Sequence, residues 1–267
     1  IDQINNECDI QSSLFHPYIM PITRFFDESD FRFIEMPRAQ SVLSDLFDIH
    51  YITDPIQAYK IMYRVLHAVN YLHSLKILHG DIKPDNVGIM NISPDSEPQP
   101  KLIDFGHAVS FSSIPSYNFE SNDFDYCYCY CNRLTYSYAA PEQLLGQPHS
   151  FPSDIWALGA TFYHLITNQT ISPIADLSVM IANVYNLEFD YTRYLGPSFP
   201  ESGKHLLQAM LDSCPQDRPT AQECLQHEFF VEVLGEEWIH QENMSIYECQ
   251  PSFDVDFTPQ DNDGMNT

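Results

Sequence analysis

The sequence predicts an α+β fold in which a few strands come early and most of the later chain is helical. Residues 19–26 and 31–36 are rich in β-forming residues and are separated by the turn-like Asp27-Glu28-Ser29-Asp30. Further along, apolar residues recur at helical spacing from Ile61 to Leu72, after Asp54, a residue suited to an N-cap. A chain of 267 residues with 44% hydrophobic content is long enough to bury a sizeable core.

The remaining elements are predicted from local patterns. A helical pattern includes Glu7 and runs to about Leu14, where His16-Pro17 ends it. Residues 91–100 are rich in Pro, Ser, Asn and acid, which predicts a loop, whereas residues 155–166 are apolar almost all round, which predicts a buried helix. Residues 204–211 and 221–226 predict two more helices. Residues 232–267 are acidic without periodicity, which predicts a loosely ordered tail.

The charge balance is strongly acidic. Twelve Lys and Arg residues stand against 37 Asp and Glu residues, which gives a formal net charge of −25. A field of this sign repels phosphate backbones and anionic lipid surfaces, so it argues against nucleic acid and membrane partners. It would instead attract basic proteins or basic peptide segments. A surface that is merely solvated by its carboxylates explains the same composition equally well.

The cysteine pattern bears on the compartment. The seven cysteines are an odd number with irregular spacing, and the first residues do not have the pattern of a signal peptide. No run approaches the ~20 apolar residues that span a bilayer. These features predict a reducing compartment, either cytoplasmic or nuclear.

Two short segments carry the groups that phosphoryl transfer requires. They are His79-Gly80-Asp81-Ile82-Lys83-Pro84-Asp85-Asn86 and Leu102-Ile103-Asp104-Phe105-Gly106. The reaction needs metal ions on the phosphates, a cation on the moving charge, and a group that orients the attacking hydroxyl. Asp81 would accept the proton of that hydroxyl and Lys83 would reach the γ-phosphate. Asn86 and Asp104 offer the hard oxygen ligands that Mg²⁺ prefers.

These segments resemble the catalytic loop and the DFG signature of the protein kinase family. Three further motifs follow in family order: Ala140-Pro141-Glu142, Asp154-Ile155-Trp156-Ala157-Leu158-Gly159 and Asp217-Arg218-Pro219. The resemblance covers residues 7–231 and implies a bilobal fold. It places a partial amino-terminal lobe in residues 1–36, a mostly helical carboxy-terminal lobe in residues 37–231, and the acidic tail in residues 232–267.

The resemblance also implies roles for individual residues, with ATP and Mg²⁺ as cofactors. Glu142 and Arg218 would form a buried ion pair, and Asp154 would accept backbone hydrogen bonds from the catalytic loop. His79 and Phe105 would belong to a stack of side chains in the core, although Gln11 stands where this stack expects an apolar residue. The nucleotide site would comprise Glu7 on the first helix, Ile34 as gatekeeper, the hinge Glu35-Met36-Pro37, and Gly88, which replaces the leucine that usually lies under adenine.

Two positions indicate the substrate class. The resemblance assigns Lys83 to the form of the catalytic loop found in serine/threonine kinases, and Thr135 to the threonine that bonds both the catalytic Asp and Lys in those enzymes. The expected function is transfer of the ATP γ-phosphoryl group to a protein hydroxyl. The acidic charge suggests basic residues near the target hydroxyl.

The departures from the family pattern leave an alternative open. Only six residues precede Glu7, so we expect an incomplete amino-terminal lobe without the glycine-rich loop and strand lysine, and weak ATP binding by this chain. Gly80 stands where most kinases carry arginine, and Cys131 occupies the usual phosphosite, so we expect activity without phosphorylation there. The alternative is a pseudokinase, a scaffold that binds partners without turnover.

The segment Cys127-Tyr128-Cys129-Tyr130-Cys131 raises the question of a metal site. Alternate residues of a strand share a face, so the three thiols could converge, with His107 or His149 as a further ligand. Zinc sites space paired cysteines more widely than this. We therefore interpret the segment as an insert in a lengthened activation segment.

Overall fold

The computed structural model describes residues 2–29, 31–48, 54–91, 97–111, 135–171 and 194–249. Within these residues it shows short strands mainly in the first half and helices throughout the second, so the predicted α+β fold class is confirmed. The core lies between the long helices that follow residue 54.

The first elements are a helix and a hairpin: α1 (Asp2–Gln11), β1 (Arg24–Glu28) and β2 (Phe31–Glu35). The two strands are antiparallel, with Phe26 opposite Phe33. The first strand is shorter than predicted, because Ile19 forms a parallel bridge with Leu102 instead of extending β1. The segment after α1 is thereby tied to the strand that leads into Asp104.

The middle of the chain frames the catalytic loop. Its elements are β3 (Ser41–Val42), α2 (Leu43–Asp48), α3 (Pro55–Ser74), β4 (Ile77–Leu78), β5 (Val87–Ile89), β6 (Pro100–Leu102) and β7 (Val109–Ser110). Strand β5 lies between β3 and β6, and β4 pairs with β7, all antiparallel. Asp54 caps α3 as predicted, since its Oδ1 accepts the N–H of Ile56 at 2.9 Å.

The later elements are α4 (Pro141–Leu144), α5 (Phe151–Thr167), α6 (Glu201–Met210), α7 (Ala221–Leu225), α8 (Glu228–Leu234) and α9 (Glu236–Glu248). Helix α5 is buried on most of its surface, which confirms the prediction made for residues 155–166. It packs against α3 and α6, and α3 also packs against α7 and α8. These contacts form one continuous apolar core beneath the catalytic loop.

The tail differs from its prediction. Residues 236–248 form helix α9, which docks on α3 through Glu242. Arg64 donates to both Glu242 oxygens, at 3.0 and 2.9 Å, and both side chains are buried. Trp238, Ile239 and Ile246 of α9 also pack against the core, so apolar contacts and this ion pair together hold a segment that was predicted to be loosely ordered. Residues 250–267 lie outside the described residues.

Among the described residues, no helix combines the length and the apolar character needed to cross a membrane.

Candidate active site

The catalytic loop lies between β4 and β5 and gathers three donors around Asp81. Oδ2 of Asp81 accepts Lys83 Nζ at 2.6 Å and Asn86 Nδ2 at 2.9 Å. Oδ1 accepts the hydroxyl of Thr135 at 3.2 Å. The carboxylate is therefore oriented from both sides, and Oδ1 is its less heavily bonded oxygen.

Lys83 and Thr135 also contact each other. Lys83 Nζ donates to Thr135 Oγ1 at 2.9 Å, so these two residues and Asp81 form a closed triangle of hydrogen bonds. Thr135 directly precedes the 3-10 turn Tyr136–Tyr138. The structure thus brings Thr135 to two side chains of the catalytic loop that lie more than fifty residues before it in the sequence.

Asp154, in the first turn of α5, holds the catalytic loop from below. Its Oδ1 accepts the N–H of Gly80 at 3.0 Å, and its Oδ2 accepts the N–H of His79 at 3.0 Å. Oδ2 also lies 3.0 Å from Nε2 of His73, in the last turn of α3. Burial by itself raises the pKa of Asp154, but the hydrogen bonds from His73 and the His79 amide outweigh it, so the pKa is lowered. Sequence reasoning missed His73, which no motif marks.

His79 is fully buried and joins the two loops. Its Nε2 lies 3.2 Å from the carbonyl of Ile103, and its Nδ1 accepts the N–H of Asp81 at 3.3 Å. These partners fit the neutral tautomer with the proton on Nε2, and burial lowers the pKa of His79 accordingly. The ring meets that of Phe105 edge-on, with centroids 5.0 Å apart. The two side chains proposed for the core stack are therefore in contact.

Asn86 and Asp104 are the candidate ligands for Mg²⁺. Nδ2 of Asn86 donates to the Asp81 carbonyl at 2.8 Å and to its Oδ2 at 2.9 Å, which leaves the amide Oδ1 for a metal. Asp104 uses Oδ1 to accept the N–H of Gly106 at 3.2 Å, which leaves Oδ2. The backbone links the two loops, since the N–H of Ile103 donates to the Asn86 carbonyl at 3.0 Å. Two uncommitted hard oxygens on linked loops fit Mg²⁺.

Glu7 of α1 faces the DFG segment. Burial and the neighbouring carboxylate of Asp104 raise the pKa of Glu7, while the Phe105 N–H and His107 act in the opposite direction. The side chain is therefore directed toward the proposed metal site. In the described part of the chain, no Lys or Arg forms an ion pair with it.

The residues proposed for the adenine site lie along β2 and β5. Ile34 is half-buried opposite Phe25, and the carbonyl of Glu35 accepts the N–H of Thr23 at 2.8 Å. Pro37 has no N–H, so its backbone can offer adenine only a carbonyl. A Cβ on Gly88 would lie 3.1 Å from the Cβ of Ala39, so Ala39 already fills part of the space that a larger side chain would need.

Glu142 and Arg218 form a two-point ion pair. Arg218 Nη1 lies 2.8 Å from Glu142 Oε1, and Nη2 lies 2.8 Å from Oε2. Both side chains are almost completely buried. The remaining Arg218 donors bind the carbonyls of Asp212 and Pro152, and Ser153 donates to Glu142, so the pair is well satisfied.

The predictions on Cys127–Cys131, as a metal site, as an insert and as the usual phosphosite position, fall outside the described residues. Two histidines were suggested as a further ligand for the thiols. His149 is buried against Gln143, with Nδ1 2.9 Å from the amide nitrogen, and His107 lies beside Asp81. Across the described ranges, no group of three or more His, Cys, Asp or Glu side chains could hold a metal ion.

Comparison with known proteins agrees with this geometry. The family model of the protein kinase domain matches residues 1–230. The chain belongs to the protein kinase family.

Three curated relatives illustrate the similarity. The striated muscle preferentially expressed protein kinase of Danio rerio is 32% identical over 189 residues, 70% of this chain and 6% of that protein. Serine/threonine-protein kinase PLK1 of Xenopus tropicalis is 29% identical over 86% of this chain and 35% of its own length. Calcium/calmodulin-dependent protein kinase cmkA of Emericella nidulans is 26% identical over 84% of this chain and 51% of its own. The matched regions thus span about half of these relatives or less.

Proposed function

We propose that this protein is an active serine/threonine kinase that transfers the γ-phosphoryl group of Mg-ATP to a protein hydroxyl. The observation that carries the proposal is the closed triangle of Asp81, Lys83 and Thr135. It provides an oriented proton acceptor with a fixed cation beside it, as phosphoryl transfer requires.

Each residue of the site has a distinct task in this proposal. Asp81 accepts the proton of the substrate hydroxyl on Oδ1, because Oδ2 is already engaged by Lys83 and Asn86. Lys83 stabilises the negative charge of the transferring group. Thr135 holds the carboxylate of Asp81 and the ammonium of Lys83 in a fixed relative position. Asn86 and Asp104 would hold Mg²⁺, which neutralises phosphate charge when it is bound with ATP.

The other residues of the site would bind the nucleotide or support the catalytic segments. Glu7, Ile34, Glu35, Pro37 and Gly88 would surround the nucleotide. His79 and Phe105 would support the DFG segment. Asp154 would support the catalytic loop, and the Glu142–Arg218 pair would support the segment that carries Thr135.

The proposed substrate is a protein with basic residues near the target hydroxyl, and the proposed compartment is the cytoplasm or the nucleus. The formal charge of −25 favours basic peptides and disfavours nucleic acid or membrane binding. A positional peptide library tests the preference, and equal phosphorylation of basic and neutral peptides would contradict it.

A pseudokinase scaffold is the second candidate. The observation in its favour is Gly88, which lacks the side chain that usually lies under adenine and has Ala39 filling part of that space. Stabilisation of the protein by Mg-ATP without phosphoryl transfer would favour this alternative.

The deciding experiment measures transfer of labelled phosphate from Mg-ATP to a basic protein by the full chain, by Asp81→Asn and by Asp85→Asn. Asp81→Asn should lose at least about 100-fold in rate, because it removes the proton acceptor. Asp85 is the matched control, an exposed carboxylate of the same loop that contacts Ser44 at 3.2 Å. Its variant should retain activity. Absence of transfer by the folded, unsubstituted chain at a saturating Mg-ATP concentration would favour the scaffold over the kinase proposal.

A further inference from the structure

His107 follows the DFG segment directly, and its imidazole faces the catalytic loop. Its Nδ1 lies 3.9 Å from Oδ2 of Asp81, too far for a hydrogen bond. This nitrogen is buried and has no hydrogen-bond partner among the described residues. Buried polar atoms are nearly always paired in folded proteins, so an unpaired one beside a reactive carboxylate requires an explanation.

The backbone of His107 is held against the same loop. A Cβ on Gly80 would lie 2.8 Å from the carbonyl oxygen of His107, so the two main chains are in direct contact. Gly80 is itself fixed, because its N–H donates to Asp154 at 3.0 Å. The imidazole therefore projects from a backbone that is tied to the loop of Asp81, and a shift of about 1 Å would bring Nδ1 within hydrogen-bond distance of the carboxylate.

The charged and titratable groups facing the imidazole come from three directions. Asp81, with Lys83 bound to it, belongs to the catalytic loop, Glu7 to α1, and His149 to the segment before α5. The two carboxylates favour an N–H directed at them, while Lys83 opposes a positive imidazole. Burial lowers the pKa of His149, which favours its neutral form and limits its repulsion. The surrounding field therefore favours a donor at the Asp81 side of His107.

We propose that His107 is a positioning residue that acts through Asp81. When substrates are bound, Nδ1–H donates to Oδ2 as a third hydrogen bond, and it thereby keeps Oδ1 directed at the acceptor hydroxyl. Hydrogen bonds at active sites often reach full strength only in the complex with substrate. The kinetic part of this inference rests on the proposed kinase function, since the orientation of Asp81 affects turnover only if the protein transfers phosphoryl groups.

Three variants test the kinetic part. His107→Leu removes the donor and should lower kcat by about 10- to 100-fold with little change in the KM for ATP. His107→Asn places an amide N–H near the position of Nδ1 and should recover most of that loss. His205→Leu changes an exposed histidine on α6 and should leave the rate unchanged. An undiminished kcat in His107→Leu, or equal losses in Leu and Asn, would overturn the proposal.

Two further measurements separate positioning from a structural role and from failure of the kinase proposal. Because His107 acts through Asp81, adding His107→Leu to Asp81→Asn should cause no further loss of kcat. The ¹⁵N shift of His107 Nδ1, recorded on histidine-labelled full chain with Mg²⁺, a non-hydrolysable ATP analogue and an acceptor peptide bound, should change in Asp81→Asn while that of His205 stays constant. This spectroscopic readout needs no activity, so it decides the contact even if the chain transfers no phosphate. An unchanged His107 shift would overturn the proposal.

Discussion

A Cβ atom on Gly80 would lie 2.8 Å from the carbonyl oxygen of His107, so the catalytic loop and the segment after the DFG motif meet at backbone contact. Gly80 also has a φ of +81°, a left-handed conformation that side chains disfavour. Glycine at this position thus avoids both a clash with the His107 carbonyl and the strain of a positive φ, where most members of the family carry arginine.

Substitution of two glycines separates these requirements. Gly146 has a φ of +73°, but a Cβ at this position would meet no heavy atom within 4 Å, so Gly146→Ala should cost only about 1–2 kcal/mol of backbone strain. Gly80→Ala should cost about 1–3 kcal/mol more, because the methyl group must displace the His107 carbonyl. Urea unfolding measures both. Equal losses would mean that the two loops separate without penalty.

The Glu142–Arg218 pair predicts a large stability effect. Glu142→Gln leaves the buried guanidinium without its counter-charge and should lower the free energy of unfolding by about 3–5 kcal/mol. The matched control is Arg24→Met, which breaks the ion pair between Arg24 and Glu35. The side chain of Arg24 is 67% exposed and that of Glu35 is 51% exposed. That change should cost about 0–1 kcal/mol. Similar losses in the two variants would contradict the argument.

Substitution of Thr135 should affect turnover rather than stability. Thr135→Ala removes the hydroxyl that donates to Asp81 and accepts from Lys83, so the carboxylate loses one of its fixed partners. We expect kcat to fall by about 10- to 100-fold. Thr135→Ser retains the hydroxyl and should keep most of the activity. If the serine variant is as slow as the alanine variant, the methyl group rather than the hydrogen bonds matters.

Some of this site could be predicted from the sequence because its parts are close along the chain. Asp81, Lys83 and Asn86 lie within six residues, and one loop conformation brings them together. Thr135 and Asp154 were identified through the spacing of family motifs.

Other contacts carry no local signal. His73 meets Asp154 across 81 residues and Arg64 meets Glu242 across 178 residues, and neither pair belongs to a motif. Gln11 is buried where an apolar residue was expected, because its amide donates to the Met20 carbonyl at 2.8 Å. Polar groups at buried positions depend on partners that only the folded chain supplies, so periodicity alone cannot predict them.

Stability should depend on pH through two histidines, His16, which is buried, and His67, whose Nε2 is buried. Burial lowers the pKa of His16 to about 3 and that of His67 to about 4. Each is neutral in the folded chain and gains its proton near pH 6.5 when the chain unfolds. The unfolded state therefore binds more protons below about pH 6.5, and each histidine lowers stability by about 1.4 kcal/mol per pH unit on acidification.

The test compares unfolding curves between pH 8 and pH 4.5. His16→Asn keeps an acceptor near the position of Nδ1, which accepts the N–H of Tyr18 at 3.2 Å, but it cannot take up a proton. Its stability should fall less steeply below about pH 6.5 than that of the unsubstituted chain, by about 1.4 kcal/mol per pH unit. The two curves should run parallel near pH 8. Parallel curves over the whole range would show that His16 does not contribute.

Helix α9 provides a prediction for the carboxy-terminal end of the described chain. Glu242 is buried, accepts two hydrogen bonds from Arg64 and is also bonded by the hydroxyl of Tyr18, which lies between α1 and β1. Glu242→Gln removes one of the two carboxylates that pair with the buried guanidinium, the other being Glu97 at 2.8 Å, so α9 should detach more readily and the chain should lose about 1–3 kcal/mol of stability. Limited proteolysis should cut within residues 236–248 sooner than in the unsubstituted chain.

The control is Glu237→Gln, an exposed position in the first turn of the same helix, which should leave both the stability and the rate of proteolysis nearly unchanged. Equal protection of α9 in the two variants would mean that apolar contacts, rather than the Arg64–Glu242 pair, hold the helix in place.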